Sequence, residues 1–322
     1  MFKRKSLFTA LLLMITILAL TACGATQGTS NSEDNVKLQT KRTENSSMTI
    51  EHVLGKTVVN KNPEKVIVFD YATIDSLEKM GIEILGLPKS NVPKHLEKYN
   101  DDKYEDVGTL FEPNFEKIFE LEPDVILVSA RQAEVYDELA KIAPTVYLEV
   151  DGANYMESVI KNTQILGELF GKKDIVEKEL SNVNETIEDL NKKVVDSGKN
   201  ALIVMANDGS ISAYGEGSRF GIIHKEFGFV PADKNIEASN HGNSITFEYI
   251  LEKNPDYIFV IDRAAVAGGT VSAEQIFDND IIKKTDAYKN DKIVYLSSQI
   301  WYVGSGGLTG TMTMIEDIQS GL

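Results

Sequence analysis

The chain has 322 residues, of which 42% are hydrophobic and 25% are charged, as in folded soluble proteins and unlike disordered ones. It carries 33 Lys and Arg against 49 Asp and Glu, a net charge of −16. This balance argues against nucleic acid as a partner, because phosphate binding needs clustered basic residues. The single Cys excludes a disulfide framework within the chain and zinc sites built on several thiolates. The length predicts about two domains.

The chain begins with the pattern of an export signal. Three basic residues precede an apolar run over residues 7–20, which is too short to remain as a membrane-spanning helix. The run ends in Leu-Thr-Ala and Cys23, which resembles the bacterial lipobox. The resemblance implies a signal peptide over residues 1–22 and a lipidated Cys23, anchored at the extracellular face of the cytoplasmic membrane. The polar residues that follow, up to residue 47, predict a flexible tether, so that 23–47 form the anchor segment. An ordinary secretory signal is the alternative.

A helix–strand unit occurs once in each half of the remaining chain. Residues 115–128 (FEKIFELEPDVILV) and 247–260 (FEYILEKNPDYIFV) are identical at eight of fourteen positions, at a constant offset of 132. Each copy predicts a short helix that ends near the proline, then a buried strand. Arg131 and Arg263 follow the two strands at the same offset. The repeat predicts two related lobes, with chance similarity of two generic units as the alternative.

Strands and helices alternate along the chain, which is typical of α/β folds with parallel sheets. Ligands of such folds bind beyond the carboxyl ends of the strands, where Arg131 and Arg263 would lie. Helices are predicted at Thr73–Met80 and Val135–Ile142, among others. The predicted strands are Val66–Phe69, Ile84–Leu87, Val125–Ser129, Thr145–Val150, Ala201–Ala206, Tyr257–Ile261 and Lys292–Leu296.

A long amphipathic helix is predicted between the halves. From Lys173 to about Val195 it would span roughly 30 Å and would limit hinge motion between the lobes. We therefore expect two Rossmann-like lobes with parallel sheets, over residues 48–172 and 199–322, joined by a connecting helix at 173–198. Apolar residues recur at alternating spacings of four and three, which places them on one face: Val176, Leu180, Val183, Ile187, Leu190 and Val194.

In combination, these features resemble the substrate-binding lipoproteins of ABC importers for iron-siderophores, within the catecholate (enterobactin-, bacillibactin- and petrobactin-type) branch. The resemblance covers about residues 50–320. It implies a class III periplasmic-binding-protein fold, a binding protein and not an enzyme, and no intrinsic cofactor. It also implies a monomer that delivers its ligand to an ABC permease dimer with its ATPase. The matching motifs are VVNKNPEKVIVFDY (58–71), YNDDKYEDVG (99–108), SARQAEVYDELAKIAPT (129–145), ISAYGEGSRFGIIH (211–224), EASNHGNSITFEYI (237–250), NPDYIFVIDR (254–263) and QIWYVGSGG (299–307).

The resemblance implies that Arg131, Arg219 and Arg263 bind the siderophore. A ferric catecholate is anionic and presents flat aromatic rings, and Arg combines a fixed positive charge with the ability to stack on a π face. A surface or ion-pairing role is the alternative for each arginine. Tyr71, which follows the first predicted strand, is a further candidate for the ligand cleft.

His241 and Tyr302 are candidate ligands to the ferric iron of the bound siderophore. Some members of the resembled family use a His and a Tyr in these two motifs to complete iron coordination. A tetradentate bis-catecholate leaves two of six iron positions open, which an imidazole and a phenolate can fill. The alternatives are a loop His bonded to the backbone and a Tyr that only lines the pocket.

Glu116 and Glu248 occupy equivalent places in the repeat. In the resembled family, acidic residues on the two lobes dock against basic residues of the permease. The alternative is a purely local role, since acidic residues are favourable in the first turn of a helix.

Several other functions stay open at this stage. The same fold can bind haem, cobalamin or a hydroxamate siderophore. A surface hydrolase is disfavoured, because the sequence contains neither a Gly-x-Ser-x-Gly elbow nor an HExxH motif. An adhesin or chaperone-like lipoprotein would not be expected to place arginines at equivalent strand ends.

Overall fold

The computed structural model describes residues 46–322; the predicted signal peptide, Cys23 and nearly all of the predicted tether lie outside the described residues. In the described part of the chain, no helix combines the length and apolarity needed to cross a bilayer. The strands are β1 (Ser47–His52), β2 (Gly55–Asn60), β3 (Val66–Val68), β4 (Gly86–Leu87), β5 (Glu105–Asp106), β6 (Val125–Val128), β7 (Thr145–Tyr147), β8 (Asn200–Asn207), β9 (Ser210–Tyr214), β10 (Val230–Pro231), β11 (Asn243–Ser244), β12 (Tyr257–Asp262) and β13 (Ile293–Tyr295).

Helices alternate with these strands, as the sequence predicts. A π-helix at Ile300–Gly304 precedes the last α-helix. The α-helices are α1 (Tyr71–Lys79), α2 (Phe115–Leu121), α3 (Tyr136–Ala140), α4 (Tyr155–Leu169), α5 (Lys173–Ser197), α6 (Ile222–Lys225), α7 (Phe247–Lys253), α8 (Ala264–Ala267), α9 (Ala273–Phe277), α10 (Asp286–Lys289) and α11 (Leu308–Gly321). Short 3-10 helices cover Lys94–Asn100, Ala130–Val135, Gly152–Asn154 and Ile282–Lys284.

The N-terminal lobe contains a five-stranded parallel sheet in the order β5-β4-β3-β6-β7. All residues of the central strands β3 and β6 are buried, which is why their sequences are continuous apolar runs. The hairpin of β1 and β2 forms a separate antiparallel sheet that the sequence reading does not include.

The C-terminal lobe contains a mixed sheet in the order β11-β9-β8-β12-β13, with β10 paired to the start of β8. Strands β8, β12 and β13 are parallel, as predicted. The short parallel strand β10 and the antiparallel strands β9 and β11 are additions that the sequence does not predict. The unpredicted β8–β9 hairpin is closed by Asp208 and Gly209, with φ angles of 46° and 88°. An Asp-Gly pair in this conformation is the preferred two-residue hairpin turn, so the signal was present in the sequence.

The long helix α5 confirms the helical periodicity. Its buried residues are the six that the sequence predicts, and it ends at Gly198, which adopts a left-handed conformation with φ of 63°. Helix α11 then packs against both α5 and α1, so the last helix of the chain contacts the N-terminal lobe as well. The main hydrophobic core is therefore continuous from one lobe through α5 and α11 to the other.

Asp75 of α1 fastens the start of α11. Its carboxylate accepts hydrogen bonds from the main-chain N–H groups of Gly310 (2.7 Å) and Thr309 (3.3 Å). The carboxyl is almost completely buried, and burial raises its pKa to about 6, although these hydrogen bonds act in the opposite direction. A buried carboxylate thus holds the two lobes together just behind the segment that carries Tyr302.

We expect Asp75 to lower the free energy of unfolding as the pH rises from about 4 to about 6. The pKa of its carboxyl is about 6 in the folded protein against an ordinary value of 3.8, so the folded state binds more protons in this interval. In the wild type, the free energy of unfolding should fall by roughly 2–3 kcal/mol over this interval, at about 1.4 kcal/mol per pKa unit, and Asp75→Asn should remove this fall. Urea denaturation of both proteins between pH 4 and pH 7 measures this difference. Parallel profiles for the two proteins would contradict the assignment.

Candidate ligand-binding site

Three arginines converge on Tyr302. Arg131 and Arg219 each donate from Nη2 to the Tyr302 carbonyl oxygen, at 3.3 Å and 2.8 Å. Arg263 donates from Nε to the Tyr302 hydroxyl at 2.8 Å. These are all the arginines of residues 46–322, so every guanidinium of the described chain lies in this one place.

Two of the arginines are positioned by the ends of central strands. Arg131 lies in the 3-10 helix that follows β6, where the Gln132 side chain caps the helix start and donates to the Leu110 carbonyl. Arg263 follows β12, and its main-chain N–H donates to the Ala206 carbonyl at 2.9 Å. Both therefore lie beyond the carboxyl ends of parallel strands, as the repeat predicts.

The third arginine is positioned by a loop and by aromatic rings. Arg219 lies between β9 and α6, with its guanidinium carbon 4.9 Å from the centre of the Phe220 ring and 5.0 Å from that of Tyr302. Phe220 is fully buried and packs edge-to-face on Tyr214. Burial lowers the pKa of Arg219, and the nearby charge of Arg131 lowers it further. Keeping the Arg219 guanidinium charged in this position therefore costs free energy.

The arginine cluster has no carboxylate partner among the described residues. All ion pairs in this part of the chain are made by lysines. The carboxyl group of Asp70 interacts electrostatically with Arg131, and that of Asp208 interacts with Arg263, without forming an ion pair. Burial raises the pKa of Asp70, which weakens its ability to neutralise the cluster. None of the three arginines therefore has the ion-pairing role that was the alternative, and their concentrated positive charge suits an anionic ligand.

Tyr302 belongs to the π-helix, a rare conformation that is frequently found at functional sites. Its carbonyl oxygen and its hydroxyl both face guanidinium groups. The glycine-rich segment after it includes Gly306, with φ of 108°, and a Cβ atom there would lie 2.6 Å from Val150 of the N-terminal lobe. The backbone around Tyr302 is therefore held tightly between the lobes.

His241 lies in an exposed loop whose next residue, Gly242, packs on the Tyr214 ring. Its main-chain N–H donates to Ser239, while its imidazole makes no hydrogen bond to residues 46–322. The adjacent Gly242 has φ of 73°, and a Cβ atom there would lie 2.7 Å from the Tyr214 ring. The His241 imidazole is thus not hydrogen-bonded to the backbone of the described residues, and the ring is accessible to a ligand.

The structure contradicts the prediction made for Tyr71. The sequence predicts that it faces the cleft, but its side chain is 1% exposed and its hydroxyl donates to the Pro88 carbonyl at 3.0 Å. Burial raises the pKa of its hydroxyl to about 12. As the first residue of α1, it directs its ring into the core of the N-terminal lobe, and we exclude it from the candidate site.

Two cavities are lined by residues of both lobes. One of about 900 Å³ is lined by residues of both lobes, including His95, Asp262 and Gln299. The other, about 320 Å³, is lined by Lys89 and Val303, among others. Neither lining includes one of the three arginines or Tyr302, so the arginine cluster, and not a cavity, defines the candidate site.

Glu116 and Glu248 are exposed in the first turns of α2 and α7. The helices are capped alike, by the side chains of Asn114 and Thr246. The two carboxylates thus hold equivalent local positions, as the repeat predicts. A favourable interaction with the helix dipole and a role in docking are both compatible with this placement.

Comparison with known proteins identifies the family of this chain. Residues 66–300 match the family described as periplasmic binding protein. The chain belongs to this family. It is 47% identical to the petrobactin-binding protein YclQ of Bacillus subtilis over 96% of both chains, and the YclQ crystal structure superposes with a TM-score of 0.84 at 48% identity, covering 86% of this chain and 98% of that one.

Two further relatives are similar over most of their length. The ferric-anguibactin-binding protein FatB of Vibrio anguillarum is 36% identical over 84% of this chain and 86% of that one. The periplasmic catecholate-siderophore binding protein VctP of Vibrio cholerae superposes with a TM-score of 0.82 at 36% identity, covering 85% of this chain and all of that one. The α/β fold prediction is confirmed, and the relatives are binding proteins, in line with the expectation of a binding protein and not an enzyme.

Some members of the site were missed by sequence reasoning. The Asn207 side chain accepts a hydrogen bond from Arg263 Nη1 at 2.9 Å, and Phe220 supports Arg219. Asn207 ends β8, beside β12, so its place at a strand end was the available signal. The common acceptor role of Tyr302 had no sequence signal.

Sulfate should stabilise the wild-type protein more than Arg219→Gln, because a ligand that binds the folded state raises its free energy of unfolding. At ten times the dissociation constant the gain is about 1.4 kcal/mol, or roughly 2–3 °C in melting temperature for a chain of this size. Thermal melts with increasing sulfate measure the difference. Lys65→Gln removes a surface charge instead and controls for general salt effects. Equal sulfate responses of wild type and Arg219→Gln would contradict an anion site.

Proposed function

We propose that this chain is the substrate-binding lipoprotein of an ABC importer that captures a ferric catecholate siderophore between its lobes and delivers it to a membrane permease. The convergence of Arg131, Arg219 and Arg263 on Tyr302 carries this proposal. The named relatives bind petrobactin, ferric anguibactin and catecholate siderophores, which supports the same ligand class here.

The arginine cluster suits catecholate chemistry in two ways. Each guanidinium has five N–H donors, and Arg131 and Arg219 each use one on the Tyr302 carbonyl, so donors remain for catecholate oxygens. The flat guanidinium can also stack on a catechol ring, as Arg219 already does on Phe220. Hydroxamate complexes are neutral and would gain less from three positive charges. The charge of the site therefore favours the catecholate over the hydroxamate alternative.

We assign His241 and Tyr302 as iron ligands when the siderophore leaves coordination positions open. The Tyr302 hydroxyl oxygen accepts a hydrogen bond from Arg263 and therefore lies inside the arginine cluster, where the iron of a bound siderophore would come within reach. The exposed His241 imidazole supplies a nitrogen ligand. Ferric iron enters only as part of the siderophore.

The predicted lipid anchor and the two exposed carboxylates suggest how the protein would meet its permease. Lipidated Cys23 would hold a monomer at the extracellular face of the cytoplasmic membrane, near the permease. Glu116 and Glu248 would then dock against the permease dimer, one carboxylate per lobe, while the ATPase drives transport. The exposure of both carboxylates on equivalent helices supports this arrangement.

Ferric bis-catecholate should quench the fluorescence of Trp301, the single Trp of the chain, because its ring lies 6.3 Å from Phe220 and next in sequence to Tyr302. Each of Arg131→Gln, Arg219→Gln and Arg263→Gln should weaken binding about tenfold or more, since a charge-assisted hydrogen bond is worth about 1.5–3 kcal/mol. Lys65→Gln should bind like the wild type. Fluorescence titration of the mature, unlipidated protein provides the affinities. Binding that is indifferent to all three arginines would overturn the proposed site.

Direct iron ligation should give a ligand-to-metal charge-transfer band that differs between wild type and variants. Tyr302→Phe removes the phenolate and His241→Ala removes the imidazole, so each should shift the band of bound ferric bis-catecholate. A hexadentate tris-catecholate, which leaves no open position, is the matched control and should give the same band in all three proteins. Unchanged bands with the bis-catecholate would show that neither residue ligates iron and that both only line the pocket.

A further inference from the structure

The 3-10 turn at Gly152–Asn154 of the N-terminal lobe packs directly on the main chain that carries Arg219. A Cβ atom at position 152 would lie 2.6 Å from the Ser218 carbonyl oxygen and 2.8 Å from the Arg219 nitrogen, and it would also meet the Arg219 Cα atom. Real Cβ atoms do not approach backbone atoms so closely. Position 152 therefore admits no side chain unless the Arg219 loop or the turn moves.

The turn cannot move away easily, because it is held from both sides. Asp151 accepts hydrogen bonds from Ala153 N (3.0 Å) and from Asn154 Nδ2 (2.9 Å). From the C-terminal lobe, Lys225 of α6 donates to the Ala153 carbonyl at 2.9 Å and to Asn154 Oδ1 at 3.0 Å. The turn is thus clamped between its own cap and the helix that follows Arg219.

The Arg219 loop has equally little freedom. Ser218 is buried and its hydroxyl donates to the Gly215 carbonyl at 2.6 Å, while Phe220 is fully buried. A Cβ atom at Gly221 would meet the carbonyl oxygens of Glu216 and Ser218. A displacement forced by a larger residue at position 152 would consequently reach the one residue of the loop that points into the site, Arg219.

We propose that Gly152 is a positioning residue for ligand binding: its missing side chain lets the N-terminal lobe seat Arg219 at the distance at which it shares the Tyr302 carbonyl with Arg131. The inference rests on the proposed function, because it concerns the affinity of the same site. Gly152 does not have a positive φ angle, so a substitution there acts through space and not through backbone strain.

Gly152→Ala should weaken the binding of ferric bis-catecholate at least tenfold, with little change in the far-ultraviolet circular dichroism spectrum. Gly217→Ala is the matched control: it adds a methyl to the exposed side of the same loop. Its nearest neighbour would be the Ala238 methyl carbon at 3.1 Å, which is itself exposed and can shift slightly, so this variant should bind like the wild type. Wild-type affinity in Gly152→Ala would overturn the inference. Absence of binding in the wild type would instead overturn the proposed function.

A double-mutant cycle distinguishes positioning from a general structural role. If Gly152 acts through Arg219, then Gly152→Ala should cost little affinity in the Arg219→Gln background, because that contribution is already lost. Full additivity of the two losses would overturn the inference.

A second variant keeps the test open if Gly152→Ala does not fold. Lys225→Met removes the two hydrogen bonds that hold the turn against α6 and adds no bulk at position 152. We expect a threefold or greater loss of affinity that is again non-additive with Arg219→Gln. Wild-type affinity in Lys225→Met, with Gly152→Ala unfolded, would count against the clamp and overturn the inference.

Discussion

The site depends on the hydrogen bonds that Tyr302 accepts from three arginines. Arg131 and Arg219 share its carbonyl oxygen, and Arg263 bonds its hydroxyl. Like charges repel each other, and burial adds a desolvation cost, which is why the pKa of Arg219 is lowered. The hydrogen bonds and the cation–π contacts, each worth about 0.5–2 kcal/mol, offset part of this cost. An anionic ligand bound among the three guanidinium groups would reduce the remaining repulsion.

The rest of the fold keeps these charges together. Arg131 comes from the N-terminal lobe, Arg219 and Arg263 come from the C-terminal lobe, and Tyr302 lies in the segment that leads into α11. Helices α5 and α11 form a continuous apolar core between the lobes, and Asp75 fastens the start of α11 to α1. A core of this kind resists large lobe movements, because interiors are close-packed. The site is therefore largely assembled before a ligand arrives, which reduces the entropic cost of binding.

The features that the sequence predicts well are those governed by local periodicity. All six buried residues of α5 follow from a spacing of three and four, since one helix face must be apolar to pack. The central strands follow from continuous apolar runs, because strands covered on both faces cannot afford polar residues. The antiparallel β9 and β11, the two-residue strands β5 and β10 and the β1–β2 hairpin were missed, because short or half-exposed strands have weak patterns. Asp208 and Gly209 did mark one turn.

The sequence by itself determined the two-lobed α/β plan, and it placed Arg131 and Arg263 at the ends of equivalent strands, because a repeat is visible in a single chain. Only the tertiary structure decided where these side chains meet. Arg131 and Tyr302 are 171 positions apart, so their hydrogen bond exists only because the lobes pack in one arrangement. The same holds for the close approach of Gly152 to Arg219. Tyr71, which pattern alone would place at the cleft, is drawn into the core, since burial of an aromatic ring outweighs its nearness to a strand end.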